Sequence, residues 1–265
     1  MKHGFPSGIG HGMKMMLSLD ELTAEPYASI ICYPRTKKTE LKKRIEELGK
    51  LGVKSLDFVG EKTVFNVSVL GKGCVGIVLL AHGNFGQAAL KIRRVDADRT
   101  QMQREAMLLQ KANSIGVGPQ LLGVSRNFLL MQYIEGTLFV DWIKNKRSKA
   151  RIKGVLRGAL EQCWRLDRFG LDHGELSHAP KHVIVNGEDK PFVVDFESAS
   201  LDRKPSNATS LCQYFFFAGT TSEILVRKLG PIDRVVVVEA LRRYKNDKTL
   251  ENFERMLTVL RLQIT

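Results

Sequence analysis

Three glycines and a lysine, in a fixed order, offer the first chemistry. Gly71, Gly73 and Gly76 form a G-x-G-x-x-G-x-V pattern that also contains Lys72 and Val78. Lacking Cβ atoms, such residues let backbone N–H groups close on a phosphate. The chain holds 23 glycines among 265 residues; chance alone supplies about 0.2 copies of this pattern, so its surroundings must decide its meaning. A dinucleotide-binding turn runs straight into a helix and meets an acidic residue about 20 positions on. Here the β-type run Ile77-Val78-Leu79-Leu80 follows, and Lys91 closes the apolar stretch Ala88-Ala89-Leu90. This order predicts a strand–turn–strand flap over phosphates, with the Lys91 ammonium acting on them as a point charge. Glu105, on or beside the apolar face of the next helix, is placed to hold that charge. Taken singly, Lys91 and Glu105 read as surface charges; in this order they read as a nucleotide site.

These residues resemble the protein-kinase superfamily in its glycine-rich loop, the lysine of V-A-I-K and the glutamate of helix C. The likeness continues through Leu129-Leu130-Met131-Gln132-Tyr133-Ile134-Glu135-Gly136, which is similar to a kinase hinge. It implies Met131 as gatekeeper, the backbone of Gln132, Tyr133 and Ile134 along the adenine edge, and Val78, Ala89 and Ile184 around the base. Further on, His173-Gly174-Glu175-Leu176, His182-Val183-Ile184-Val185 and Asp195-Phe196-Glu197 are similar, in order, to H-x-D-L, N-x-L-x and D-F-G. Asp195 follows the apolar run Phe192-Val193-Val194, so its carboxylate emerges at a strand's end, where it can hold Mg²⁺ against ATP phosphates.

The pattern departs from the family at three positions. Glu175 stands where the family has an aspartate; it keeps the carboxylate but is one methylene longer, and a misplacement of about 1 Å can cost on the order of 100-fold in rate. Pro180 occupies the place of the second metal-binding residue, an asparagine, and the nearest register gives that role to His182, a poor ligand for Mg²⁺. Glu197 replaces the glycine of D-F-G. A rival reading takes His173, His178 and His182 as metal ligands, but no cysteine or spaced carboxylate motif completes a zinc set.

The elements that must position these residues follow from periodicity. Leu41, Ile45 and Leu48 recur at helical spacing from Thr39 to Leu51. Apolar and β-branched segments at Thr63 to Leu70, Gly76 to Ala81 and Ala88 to Ile92, punctuated by glycines, predict an antiparallel meander. A helix from about Asp98 to Ala112 follows, then strands at Gln120 to Val124 and Phe128 to Met131. Arg151 to Phe169 reads as a long helix, His182 to Val185 and Phe192 to Val194 as a hairpin across Asn186-Gly187, and the chain from about Asn207 as helical. A strand-rich half before a helical half predicts an α+β, bilobal protein-kinase-like fold. Its antiparallel-sheet N-lobe spans 37–132, with a leading helix as N-terminal extension, and its compact helical C-lobe spans 133–265. Residues 1–36 have no assigned role, and Met1 to Leu17 reads as a loose tail.

No A-P-E element follows Asp195, and the segment before the helix near Asn207 is short. This compact second half resembles atypical kinases: the RIO family, the kinase subunit of the KEOPS tRNA-modification complex and, most, a group of small archaeal predicted serine/threonine kinases. That group shares L-G-K-G-x-V-G and L-K-I-R-R-V-D-A-D-R, here Leu70 to Gly76 and Leu90 to Arg99.

The net charge of +13 attracts phosphate-rich partners. The basic residues concentrate in helical stretches, Lys37 to Lys50 and Lys144 to Arg157, without interleaved aromatics, so RNA contact is an open alternative to a solvated helix face. Cys32, Cys74, Cys163 and Cys212 are widely spaced and read as buried free thiols. The expectation is a cytoplasmic enzyme that passes the ATP γ-phosphate to a Ser/Thr hydroxyl, on a protein substrate or on itself, with ATP and Mg²⁺ as cofactors and no membrane partner. The alternative is a nucleotide-binding pseudokinase or switch subunit acting on RNA or a ribonucleoprotein.

Overall fold

The computed structural model describes residues 16–73, 75–98, 100–217 and 219–263. In chain order the elements are β1 (Met16–Ser18), α1 (Tyr27–Ile31), α2 (Lys38–Lys50), β2 (Val53–Asp57), β3 (Lys62–Val64), β4 (Val67–Val69), β5 (Gly71–Lys72), β6 (Gly76–Gly83), β7 (Gly86–Arg93), α3 (Gln101–Ser114), β8 (Leu121–Val124) and β9 (Phe128–Gln132). Then come β10 (Gly136–Leu138), α4 (Phe139–Trp142), α5 (Lys149–Phe169), β11 (Val183–Asn186), β12 (Pro191–Val193), α6 (Asn207–Phe216), α7 (Gly219–Leu229), α8 (Arg234–Asn246) and α9 (Leu250–Val259). The chain is therefore mixed α+β with an antiparallel sheet, as its patterning predicts.

The described residues form two compact units. The first holds residues 16–102 and 123–131, the second 103–122 and 132–263. In the first, strands lie in the order β1-β2-β6-β7-β9-β8, and β5 adds to β6. Alternation along β6 and β7 sends Ile77, Leu79, Leu90 and Ile92 to one face, where they join a core that includes Leu41 and Leu48 of α2. The segment without an assigned role contributes to that core: Leu22, Ala28, Ile30, Ile31 and Cys32 are buried in it, and the expected loose tail ends in β1, paired with β2.

Thr63 to Leu70 is not one strand but the hairpin β3–β4. Phe65 and Asn66, with φ of 50° and 62°, supply the two left-handed residues of a tight turn. In the second unit α5 is capped at both ends: Ser148 Oγ accepts from Arg151 N, and Gly170 adopts φ 90°. Its buried face packs with α6 and beneath the three-stranded sheet β10-β11-β12. Cys32, Cys163 and Cys212 are buried free thiols, and Cys74 lies outside the described residues. Among the described residues no helix is long and apolar enough to cross a membrane.

Candidate functional site

In the first unit, β5 and β6 pair at Gly71–Val78 and Lys72–Ile77, and Gly73 N donates to Gly76 O at 2.8 Å. The glycine pattern is thus a strand–turn–strand, which excludes the helix-opening dinucleotide turn. Only one of its glycines is demanded by packing. A Cβ on Gly76 would stand 2.5 Å from Ile92 O, whereas at Gly71 and Gly73 it would meet nothing closer than 3.5 and 3.8 Å. Gly76 therefore serves the close approach of β6 to β7.

Lys91 lies opposite Val78, and Ala89 opposite Leu80. Pairing and alternation put Val78, Leu80, Ala89 and Lys91 on the sheet face away from the apolar core. Lys91 itself is buried, at 6% exposure. Lys72 turns elsewhere: its ammonium sits 5.5 Å from the ring centre of Tyr33, a cation–π contact that occupies it within the sheet unit. Half-buried Met131 and exposed Gln132 end β9, with Gln132 N donating to Gln120 O; half-buried Tyr133 and buried Ile134 follow, and half-buried Ile184 pairs with Leu138 and Phe192.

The second unit gathers the carboxylates. Oxygens from Glu105, Asp195 and Glu197 lie within 4.8 Å of one another, the sole such group of three or more metal-capable side chains among the described residues. Two come from one short segment. The third comes from α3, and packing brings it there: Phe196, 1% exposed, fills the space beside Gly118, where even a Cβ would come within 2.8 Å of its ring. The contact lies just past the C-terminal end of α3, and α3 from Gln103 onward falls in the same compact unit as the 195–197 segment. Asp195 adopts φ 71°, a left-handed conformation uncommon outside glycine and favoured at functional sites.

Glu175 is held from two sides. Its Oε1 accepts a short hydrogen bond from Ser198 Oγ, and its Oε2 lies 2.9 Å from His182 Nε2. The Ser198 bond, followed by the nearby His182, lowers its pKa below the usual carboxylate value, against the opposing pull of burial. His182 is fully buried, and its Nδ1 lies 4.0 Å from Asp195 Oδ2, but neither ring nitrogen is in line for a hydrogen bond. It stands between Glu175 and Asp195 and outside the carboxylate group. The carboxylate group that could hold a metal ion includes Glu197 and does not include His182.

His173 backs this arrangement. Its N donates to Asn207 Oδ1 at 2.8 Å, and its Nε2 lies 3.0 Å from Val194 O, immediately before Asp195. Burial, then the neighbouring His182, pushes its pKa down to about 4. Asn207 is itself fastened to Asp167 and Leu171 O, and Tyr244 donates to the other oxygen of Asp167 at 2.8 Å. Burial raises the pKa of Asp167 despite these bonds. His178 is exposed and separate, so the three histidines do not form one ligand set.

Sequence reasoning did not assign Ser198, Asn207, Asp167 or Tyr244 to the site. Ser198 directly follows Glu197 in the chain, whereas Asp167, Asn207 and Tyr244 are brought together by the packing of α5, α6 and α8. No protein-family model matches the chain, and no curated protein matches it by sequence.

Proposed function

We propose that this protein is an atypical kinase-like phosphotransferase, ATP- and Mg²⁺-dependent, acting on a hydroxyl acceptor, with the two units as the lobes of a compact kinase-like fold. The observation that carries the reading is the carboxylate group of Glu105, Asp195 and Glu197, with oxygens within 4.8 Å of one another. Hard divalent cations take oxygen ligands, and three acidic oxygens at this spacing fit one. When bound, Mg·ATP supplies the transferable phosphoryl group and the charge neutralisation it needs.

The chain's own residues do the rest by position and charge. Asp195, Glu197 and Glu105 would hold the cation. Gly71 to Gly76 present backbone N–H groups, and Lys91 presents its ammonium from the sheet face that also carries Val78 and Ala89. Glu175, kept ionised by Ser198 and His182, accepts a hydrogen bond from the acceptor hydroxyl and aims it. Its lowered pKa makes it a weak proton acceptor, so its contribution is orientation more than base catalysis. We place the reaction in the cytoplasm, where ATP is supplied.

Transfer of label from [γ-³²P]ATP to the protein or to a generic Ser/Thr substrate tests this, with Asp195→Ala and Glu175→Ala alongside. Asp195→Ala is expected to abolish transfer and weaken Mg·ATP binding, and Glu175→Ala to slow transfer while leaving binding intact. Binding that depends on Lys91 and Asp195 without any transfer would make the chain a nucleotide-binding subunit instead. Absence of ATP binding would remove both readings.

A further inference from the structure

The segment from Lys144 to Lys153 contains Lys144, Lys146, Arg147, Lys149, Arg151 and Lys153 and no acidic residue. It runs from the end of α4 into the start of α5. The first turn of α5 holds no acid, although a helix start carries a partial positive charge and disfavours cations. Other helices also open on a single cation, α2 on Lys38 and α8 on Arg234, but the start of α5 gathers Lys149, Arg151 and Lys153 directly after Lys146 and Arg147.

Tertiary packing adds to the concentration. The end of α7 reaches this segment, where Lys228 Nζ donates to Asn145 O at 2.6 Å. Two acids answer part of the charge: Asp141 pairs with Lys144 at 2.7 Å, and Asp189 pairs with Arg151 and lies near Arg147. Among the described residues, none of Lys146, Lys149, Lys153 and Lys228 has a carboxylate within 4.0 Å. The two large aromatics here, Phe139 and Trp142, are both buried, with the Arg147 guanidinium 5.5 Å from the Trp142 ring centre. None of the exposed large apolar residues falls between 139 and 153.

We propose that this face of the second unit binds the phosphodiester backbone of a nucleic-acid duplex. Uncompensated lysines gathered against a helix dipole work against folding stability and serve a polyanion. Lysine ammoniums act on phosphates as mobile point charges without reading bases. A single-strand site would offer exposed rings for bases to stack on, and a membrane-seated helix would offer exposed apolar residues beside the cations. Between residues 139 and 153 both are missing among the described residues, and α7 adds a single exposed large apolar residue, Val226, short of the stripe that membrane seating needs. The inference does not depend on the proposed phosphotransfer.

Fluorescence anisotropy of the full chain with a labelled 20-base-pair RNA duplex, the matching DNA duplex and the matching single strand tests it across a salt series. The variant K146Q/K149Q/K153Q is compared with R242Q/R243Q/K245Q, which removes equal charge from α8. Duplex binding is expected to weaken about tenfold or more in the α5 variant, with the log–log salt slope reduced by about 3, and to change little in the α8 variant. The α5 variant is expected to melt no lower than the parent, because cations leave an unfavourable helix start. Binding by the Asp195→Ala protein should match the parent. Equal losses in the two triple variants, tighter binding to the single strand, or binding to anionic phospholipid vesicles without binding to either duplex would overturn the proposal.

Discussion

Arg44 in the first unit and His182 in the second are both fully buried, but their surroundings differ. Arg44 is satisfied on every side. Its Nε donates to Glu40, its Nη1 to Ile31 O and Arg93 O, and its Nη2 to Asn127 Oδ1. Arg93 donates to that same Asn127 oxygen, and Asn127 in turn donates to both carboxylate oxygens of Glu47. This network bolts α1, α2, the end of β7 and the start of β9 together. His182 has no aligned partner for either ring nitrogen, and His173 beside it leaves Nδ1 unpaired. Buried polar groups cost most when unsatisfied. The Arg44 network spends its buried polarity on holding the sheet unit together, while the His173–His182 pair leaves buried polarity unsatisfied next to a carboxylate group.

The sharpest way to break this comparison is Arg44→Met. It strands two carbonyls and Asn127 in the core and is expected to cost about 3–5 kcal/mol in urea unfolding. A loss below 1 kcal/mol would deny the network its structural role.

The second unit should instead reveal itself through pH. A fully buried His173 with pKa near 4 stays neutral in the folded chain, while the unfolded chain takes up its proton below about 6.5. Its contribution to stability is therefore complete above about pH 6.5 and falls away as the pH drops toward 4, by about 3 kcal/mol. Unfolding measured from pH 7 to 4 without added divalent cation should show this slope, and His173→Gln should flatten it.

Gly76 and Gly73 sharpen the contrast within the glycine turn. Gly76→Ala meets a backbone carbonyl at 2.5 Å and is expected to lower stability by about 1–3 kcal/mol. Gly73→Ala meets nothing closer than 3.8 Å, so its melting temperature should stay near that of the parent.

The smallest effect concerns Ser198→Ala. Losing the bond that most lowers the Glu175 pKa should move that pKa up toward its ordinary value. The acidic limb of a kcat/KM–pH profile for the proposed transfer is then expected to shift to higher pH, with unfolding changed by less than about 1 kcal/mol.

Much of this was legible in sequence because it is local. Apolar spacing placed α2, α5 and β6–β7 to within a few residues, since helix and strand periods act over neighbouring positions. The order of Gly71, Gly73, Gly76, Lys91, Glu105 and Asp195 was readable for the same reason. Less legible were elements with weak local patterns. The β3–β4 turn at Phe65-Asn66 lacks the usual glycine, and β1 is three residues long.

What the sequence by itself determined is the set of chemical groups and the periodic elements that carry them. Only the tertiary structure decided which groups meet. Phe196 packs beside Gly118, just past the C-terminal end of α3, and Glu105 joins Asp195 and Glu197 in a carboxylate group that includes no histidine. Packing also set His182 between Glu175 and Asp195, and the Lys228 side chain on Asn145. Such meetings depend on side-chain volumes and buried polar partners far apart in the chain, which no local period encodes.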